Sequence, residues 1–322
     1  MVTELAANAT RIRVGEAGIA LHPVVVRYQN QKKQSAISAR KISETHHLIP
    51  DMQGHTPRRR FGQNFLADPH YLQRIIDAVH PQPGEALVEI GPGLGALTAG
   101  LIARAGHLHA VEIDRDLAAR LRERFSATQL TLFEEDALRF DFIRLSATLS
   151  TPLRIVGNLP YNISSPLLFH LSTDTIFLRD LHVMLQKEVV ARMTAAPSTP
   201  DYGRLSVMLQ AKFAITRLFV VPPGAFVPAP KVDSAVARLV PLGERAPKMD
   251  DAPLFARLVS AAFAQRRKTL RNALTACCTP DDLRAAEIDP QARGENLAVE
   301  DFVRLANQVS EVKKDKTQAR KR

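Results

Sequence analysis

The stretch VEIGPGLGALT, Val88 to Thr98, constrains this chain more than any other part of it. An apolar run, Ala86–Ile90, reads as a buried strand. It enters Gly91, Gly93 and Gly95 and then a helical pattern over Ala96–Ala105. Glycines let the backbone turn sharply and approach a ligand closely, with a helix N-terminus beneath it. With Ala96 the spacing also satisfies GxGxxG/A. Taken alone, it leaves a dinucleotide and any other adenosine-bearing cofactor open.

Strands and helices alternate on both sides of this unit. Asp68-Pro69 predicts a helix start, with Leu72, Ile75, Ile76 and Val79 at helical spacing and a stop at Pro81-Gln-Pro83-Gly84. Further strands are predicted at His109–Ile113, Leu130–Phe133, Leu153–Val156 and Leu181–Leu185, with helices at about 115–125 and 166–171. That alternation implies an α/β fold with a doubly wound, mostly parallel sheet. Ser206–Val221 and Ser234–Val240 read as two more strands around the Pro-rich loop VPPGAFVPAP. Leu254–Leu274 reads as one long helix and Leu297–Val309 as another, which gives a smaller all-helical domain over 250–310. Residues 1–57 lack sustained periodicity and read as an extension, disordered or preceding a true start near Met52. The tail 311–322 is basic and reads as mobile.

Three strand ends carry polar residues of a consistent kind. Glu112, twenty-one residues after Gly91, can accept both hydroxyl protons of a ribose. Asp136, twenty-four residues further on, can accept a hydrogen bond from an adenine amino group. Next comes Gly157-Asn158-Leu159-Pro160-Tyr161. An Asn-x-Pro-aromatic turn suits methylation of an exocyclic amine, whose lone pair is delocalised into its ring. The Asn158 side-chain oxygen and the Leu159 carbonyl can hold the two amine protons and favour a pyramidal nitrogen. Tyr161 offers a face for the base, and Pro160 stiffens the turn.

Charge and cysteine usage narrow the class. Lys and Arg number 43 against 33 Asp and Glu, a net charge of +10 that favours a polyanionic partner such as RNA. Arg58, Arg59 and Arg60 form one basic cluster, and Arg266, Arg267, Lys268 and Arg271 form another on the expected long helix. Both are candidate phosphate contacts. No apolar run is long enough for a membrane helix. The two cysteines, Cys277 and Cys278, are adjacent, which argues against a disulfide framework or a metal cluster and fits a reducing compartment.

The runs RRRFGQNFL (58–66), VEIGPGLGALT, VEID, GNLPYNISSPLLFHL (157–171), MLQKEVVARM (184–193), YGRLSVMLQ (202–210), PPGAFVPAPKVDSAVARL (222–239) and AFAQRRKTLRNAL (262–274) occur in order. In these the chain resembles the KsgA-type small-subunit ribosomal RNA adenine dimethyltransferases over about 58–310. The resemblance implies a Rossmann-like class I methyltransferase domain over 58–245 and a helical RNA-binding domain over 250–310. It implies S-adenosyl-L-methionine as cofactor. Its substrate would be two adjacent adenosines in the 3′-terminal hairpin loop of 16S rRNA, each dimethylated on its exocyclic nitrogen late in small-subunit biogenesis. Cofactor contacts fall on Asn64, Leu66, Gly91, Gly93, Glu112, Asp136 and Asn158, and a second base-stacking aromatic falls on Phe226. A cytoplasmic monomer without metal is expected. The alternatives are a large-subunit rRNA methylase of the macrolide-resistance type, an NAD oxidoreductase, which would leave Asn158–Tyr161 without a role, and a non-catalytic ribosome assembly factor. The leader 1–57 and the basic tail have no counterpart in the family pattern.

Overall fold

The computed structural model describes residues 63–265 and 267–319, with side chains in the last helix described as far as Val312. Residues 1–57, Arg58–Arg60 and Arg266 lie outside the described residues. The chain runs β1 (Phe65–Leu66), α1 (Pro69–Val79), β2 (Leu87–Ile90), α2 (Ala96–Ala105), β3 (Leu108–Val111), α3 (Arg115–Arg124), β4 (Leu130–Phe133), α4 (Phe142–Leu149), β5 (Leu153–Asn158), α5 (Ser164–Leu171) and β6 (Leu178–Gln186). It continues with α6 (Lys187–Thr194), α7 (Arg204–Gln210), β7 (Phe213–Val221), β8 (Phe226–Val227), β9 (Ser234–Pro241), α8 (Ala252–Ala264), α9 (Leu270–Ala273), α10 (Pro280–Ala285) and α11 (Val299–Ala319). Among the described residues, no helix is long and apolar enough to cross a membrane.

Seven strands form one sheet in the order β4-β3-β2-β5-β6-β9-β7. The first five are parallel; β9 runs antiparallel to β6, and β7 runs antiparallel to β9 at the edge. Every residue of β2 is buried, as a central parallel strand requires. Leu97 and Leu101 of α2 and Leu121 of α3 pack on one face with Leu87 and Val156. Phe142 and Leu145 of α4, Leu167 and Leu171 of α5 and Val190 of α6 pack on the other with Val88 and Ile155. The chain therefore changes faces across β4, between α3 and α4, and β2 and β5 lie side by side at the switch point. In open α/β sheets ligands bind there, beyond the carboxyl ends of the strands.

The helix ends follow local chemistry. Asp68 caps α1 by accepting a hydrogen bond from the His70 N–H at 2.8 Å, with Pro69 at the first helical position. His80 closes the same helix in the left-handed conformation ahead of Pro81.

Three expectations fail. The segment expected to begin a strand at Ser206 is helix α7 up to Gln210, and the strand starts at Phe213. Leu209 of this helix faces the sheet core while Val207 faces the C-terminal helices, so it is apolar on two sides and imitates a strand. The expected single helix over Leu254–Leu274 is broken. It ends at Ala264, and the N–H groups of Leu270 and Arg271 bond to the carbonyls of Ala292 and Pro290 at 2.8 and 2.9 Å. Helix α11, expected to end at Val309, continues to Ala319.

The helices from Ala252 onward form a third cluster, with Phe255, Leu258, Phe302 and Leu305 buried beside Tyr202 and Val207. The buried Tyr202 hydroxyl donates to the Leu297 carbonyl at 2.8 Å and ties the two regions together.

Gly157 sets how closely β5 approaches β2 at the switch point. A Cβ there would lie 2.7 Å from the Ile90 carbonyl oxygen and 2.9 Å from Leu159 Cδ2. The first is a backbone atom and cannot swing aside. Gly157→Ala is therefore expected to cost about 1–3 kcal/mol as an overpacked site, measured by urea unfolding. An unchanged midpoint would show that the strands part freely.

Candidate active site

A cavity of about 310 Å³ opens at the carboxyl ends of β2, β3 and β5. Its lining brings together Asn64, Leu66, Gly91, Gly93, Glu112, Asp136, Asn158, Leu159, Pro160 and Tyr161, all singled out from the sequence. The glycine loop leaves β2 with positive φ at Gly91, Gly93 and Gly95. At Gly93 the constraint is double. Its φ of 59° disfavours any side chain, and a Cβ would lie 3.0 Å from the Phe65 ring. The loop is pinned where the Gly91 N–H donates to the Val111 carbonyl at 2.9 Å.

Glu112 is buried just beyond β3. Its Oε2 accepts from the Gly93 N–H at 3.1 Å and its Oε1 from the Asp114 N–H at 2.9 Å. Burial pushes this carboxyl above its ordinary range, with the Asp114 charge adding to the rise, against the pull of the Asp114, Gly93 and Ile113 N–H groups. Asp136 is half-buried, and its Oδ1 accepts from the Leu138 N–H at 2.9 Å, which fixes the side chain in a local turn.

At the other end, the Asn158 Nδ2 donates to the Asn64 carbonyl at 2.9 Å. That bond assigns the amide orientation and leaves Oδ1 as the free acceptor. The turn after Asn158 is held by the Leu159 N–H on the Met184 carbonyl at 3.1 Å and by the Ser164 hydroxyl on the Pro160 carbonyl at 3.0 Å. The Tyr161 hydroxyl lies 2.7 Å from Ser234 Oγ, a hydrogen bond in which either group can donate.

Phe226 does not join this lining. It is 3% exposed and packs with Leu66, Leu72 and Val236, so it shows the cavity no ring face. Its strand β8 pairs with β1, which is why the ring turns into the core beneath that ribbon. Arg267, Lys268 and Arg271 are exposed, but the first two sit in the break before α9 and not on one long helix with Arg271 as expected.

Two lining residues, Ile113 and Glu89, and one residue behind the lining, Ser234, had no role assigned from the sequence. Ile113 follows Glu112 and is 46% exposed, a large apolar side chain left open beside the cavity. Ser234 is fully buried at the start of β9, where a hydroxyl opens a strand whose other buried residues are apolar; it touches the lining through Tyr161. Glu89 is buried within β2, where an acid in an apolar central strand is itself a signal. It accepts from the Thr98 hydroxyl at 2.6 Å. Burial pushes its carboxyl up to about 8; the Thr98 bond pulls it down and the nearby Glu112 charge adds to the rise.

A doubly wound sheet with this cavity at its switch point is the fold of a Rossmann-like class I methyltransferase. Residues 54–311 match the family model of the ribosomal RNA adenine dimethylases, and the chain belongs to that family. It is 59% identical over 259 residues to the ribosomal RNA small subunit methyltransferase A of Aromatoleum aromaticum, covering 80% of this chain and 96% of that one. To the protein of the same name from Nitrosospira multiformis it is 56% identical over 259 residues, 80% of this chain and 98% of the relative. Among solved structures it is similar to a dimethyladenosine transferase from Plasmodium falciparum, with a TM-score of 0.67 and 25% identity over 77% of this chain and 98% of that one. It is also similar to the 23S rRNA methyltransferase ErmE, with a TM-score of 0.57 and 26% identity over 77% of this chain and all of that one.

Glu89 generates a pH dependence. The unfolded chain releases this proton near 4.5 and the folded chain near 8. The stability it contributes is full below the lower value and is lost as pH rises through the higher one. At about 1.4 kcal/mol per pKa unit the loss is on the order of 4–5 kcal/mol. Glu89→Gln mimics the protonated form. Urea unfolding of the cofactor-free protein is expected to show the variant gaining on the parent by several kcal/mol between about pH 5.5 and about pH 8.5. Parallel stability curves would refute the assignment.

Proposed function

We propose that this protein uses S-adenosylmethionine to dimethylate the exocyclic N6 of two adjacent adenosines in the 3′-terminal hairpin loop of 16S rRNA, late in small-subunit assembly. The observation that carries the reading is the Asn158 amide, locked by Asn64 so that its oxygen is the free acceptor. The identity of 59% and 56% to small-subunit methyltransferases supports 16S over 23S rRNA, since ErmE is similar at 26%.

The cavity fits such a donor. Glu112 offers its buried carboxylate to the ribose hydroxyls. Asp136 takes the adenine amino group, and the open Ile113 side chain suits the face of a flat heterocycle. Gly91 and Gly93 bring bare backbone against the amino-acid end, beside Asn64 and Leu66. When bound, S-adenosylmethionine supplies a methyl group made electrophilic by a positively charged sulfonium.

The chain's own residues then act on the acceptor. Asn158 Oδ1 and the Leu159 carbonyl each accept one proton of the target amine and hold its nitrogen at near-attack distance. Tyr161 stacks on the base, an interaction worth ~1–3 kcal/mol and comparable to the cost of extruding it. No dedicated general base is required, because the nitrogen becomes acidic on methylation and its proton leaves to water. Arg267, Lys268 and Arg271 lie exposed around the α8–α9 corner and take rRNA phosphates, which position the substrate without reading its bases.

The deciding assay combines labelled methyl donor with under-methylated small ribosomal subunits and locates the modified nucleosides. Asn158→Ala is expected to lower turnover at least about a hundredfold, with a smaller effect on cofactor affinity. Glu112→Ala is expected mainly to raise the cofactor Kd, read by calorimetry. Near-normal dimethylation by Asn158→Ala would end the amine-clamp reading. For the RNA contacts, Arg267→Ala combined with Lys268→Ala is expected to flatten the log K against log salt slope for subunit binding. An unchanged slope would remove both residues from the interface.

A further inference from the structure

We propose that Ser234 is a positioning residue that fixes the Tyr161 ring for the second methyl transfer to each adenosine. The inference rests on the reading of Tyr161 as the platform for the target base. Ser234 has no exposed surface, and its Oγ lies 2.7 Å from the Tyr161 hydroxyl. Its backbone is anchored on both sides. It opens β9 between two neighbours, with Gln186 of β6 opposite on one side and Val221 of β7 on the other. The residue before it is pinned too: the Lys187 N–H donates to the Asp233 carbonyl at 2.9 Å, and the Lys187 ammonium meets the Asp233 carboxylate at 3.1 Å.

Tyr161 is thereby held at both ends of its ring. Its backbone follows the Leu159–Pro160 turn, tied to β6 by the Leu159 N–H on Met184. Its hydroxyl is tied to β9. Fixing the hydroxyl fixes χ1 and with it the direction of the ring's long axis. A Phe at this position would offer the same face with that direction free.

The chemistry of dimethylation assigns this hold a particular step. In the first transfer the amine has two N–H groups, one for Asn158 Oδ1 and one for the Leu159 carbonyl. Once one methyl is on the nitrogen, a single N–H remains and one acceptor has no partner. The base must also accommodate a methyl group where a proton was. Stacking on Tyr161 then carries a larger share of the alignment, so looseness in the ring costs the second transfer more than the first.

The test measures N6-monomethyl- and N6,N6-dimethyladenosine in under-methylated small subunits incubated with Ser234→Ala, Tyr161→Phe, the double variant and Tyr161→Ala. Cofactor Kd is measured in parallel. Ser234→Ala and Tyr161→Phe are each expected to slow the second transfer about tenfold, to accumulate monomethyladenosine and to leave cofactor Kd unchanged. The double variant is expected to be no slower than either. Because Tyr161→Phe removes the same hydrogen bond from its other side, the test stands even if Ser234→Ala folds poorly. Wild-type product ratios in Ser234→Ala and Tyr161→Phe, or multiplied effects in the double variant, would overturn the anchor. If those variants are silent while Tyr161→Ala collapses, only the anchor is lost. If Tyr161→Ala also dimethylates normally, the base platform itself is wrong and the anchor falls with it.

Discussion

A side-chain amide can present either its oxygen or its nitrogen to a ligand, and at Asn158 one hydrogen bond decides which. The Asn64 carbonyl takes the Nδ2 proton at 2.9 Å, across a sequence separation of 94 residues. That carbonyl stays in place because the next residues, Phe65 and Leu66, pair with Val227 and Phe226 in a two-stranded ribbon. The ribbon is extended where the Ala67 N–H donates to the Ala225 carbonyl at 2.8 Å. Phe226 fastens it from beneath, packed with Leu66 and Leu72. Phe65 lies on its cavity side, against the position a Gly93 side chain would occupy. One short strand thus touches the glycine loop, the amide and the core at once. The deeply buried Phe226 contributes to the site by holding that strand.

The sheet supplies the place where this strand has something to orient. β2 and β5 are parallel neighbours whose following helices cover opposite faces, so the carboxyl ends of the two strands open a crevice. The absence of a side chain at Gly157 lets β5 close on the Ile90 carbonyl. The glycine loop and Asn158 consequently border the same space. Acids gather on one side of that lining, with Glu89 on β2, Glu112 after β3 and Asp136 after β4. The β5 turn contributes Asn158, Leu159, Pro160 and Tyr161, none of them charged at neutral pH.

Much of this was legible in the sequence because it depends on short-range pattern. The strand, glycine loop and helix from Ala86 to Ala105 carry their own turn chemistry, and Asp68-Pro69 carries its own cap. Glu112, Asp136 and Asn158 could be read because each follows an apolar run at a similar interval. What escaped was decided by contacts between distant residues. Helix α7 looked like a strand because two clusters bury two of its sides. The break after Ala264 depends on carbonyls at Pro290 and Ala292, to which no local signal points. Phe226 is a loop aromatic by pattern and a core residue only because β8 meets β1. Ser234 acquires a role from a ring 73 residues earlier in the chain.

The division of charge along the lining has a physical reason in the proposed reaction. Positive charge moves from the sulfur of the donor to the nitrogen of the acceptor as the methyl group passes. N–H groups on a nitrogen gaining positive charge become stronger donors, so bonds to the Asn158 oxygen and the Leu159 carbonyl tighten as the reaction proceeds. An interaction that grows toward the transition state lowers the barrier, whereas one equally strong at the outset does not. A carboxylate in place of the Asn158 amide would attract the sulfonium before reaction and stabilise the state from which the charge must depart. A neutral acceptor avoids that ground-state attraction and keeps the geometry needed for the amine. It must be oriented in advance, because an amide free to flip would offer donor protons to an amine that needs acceptors. The bond from Asn158 to Asn64 meets that requirement before substrate arrives.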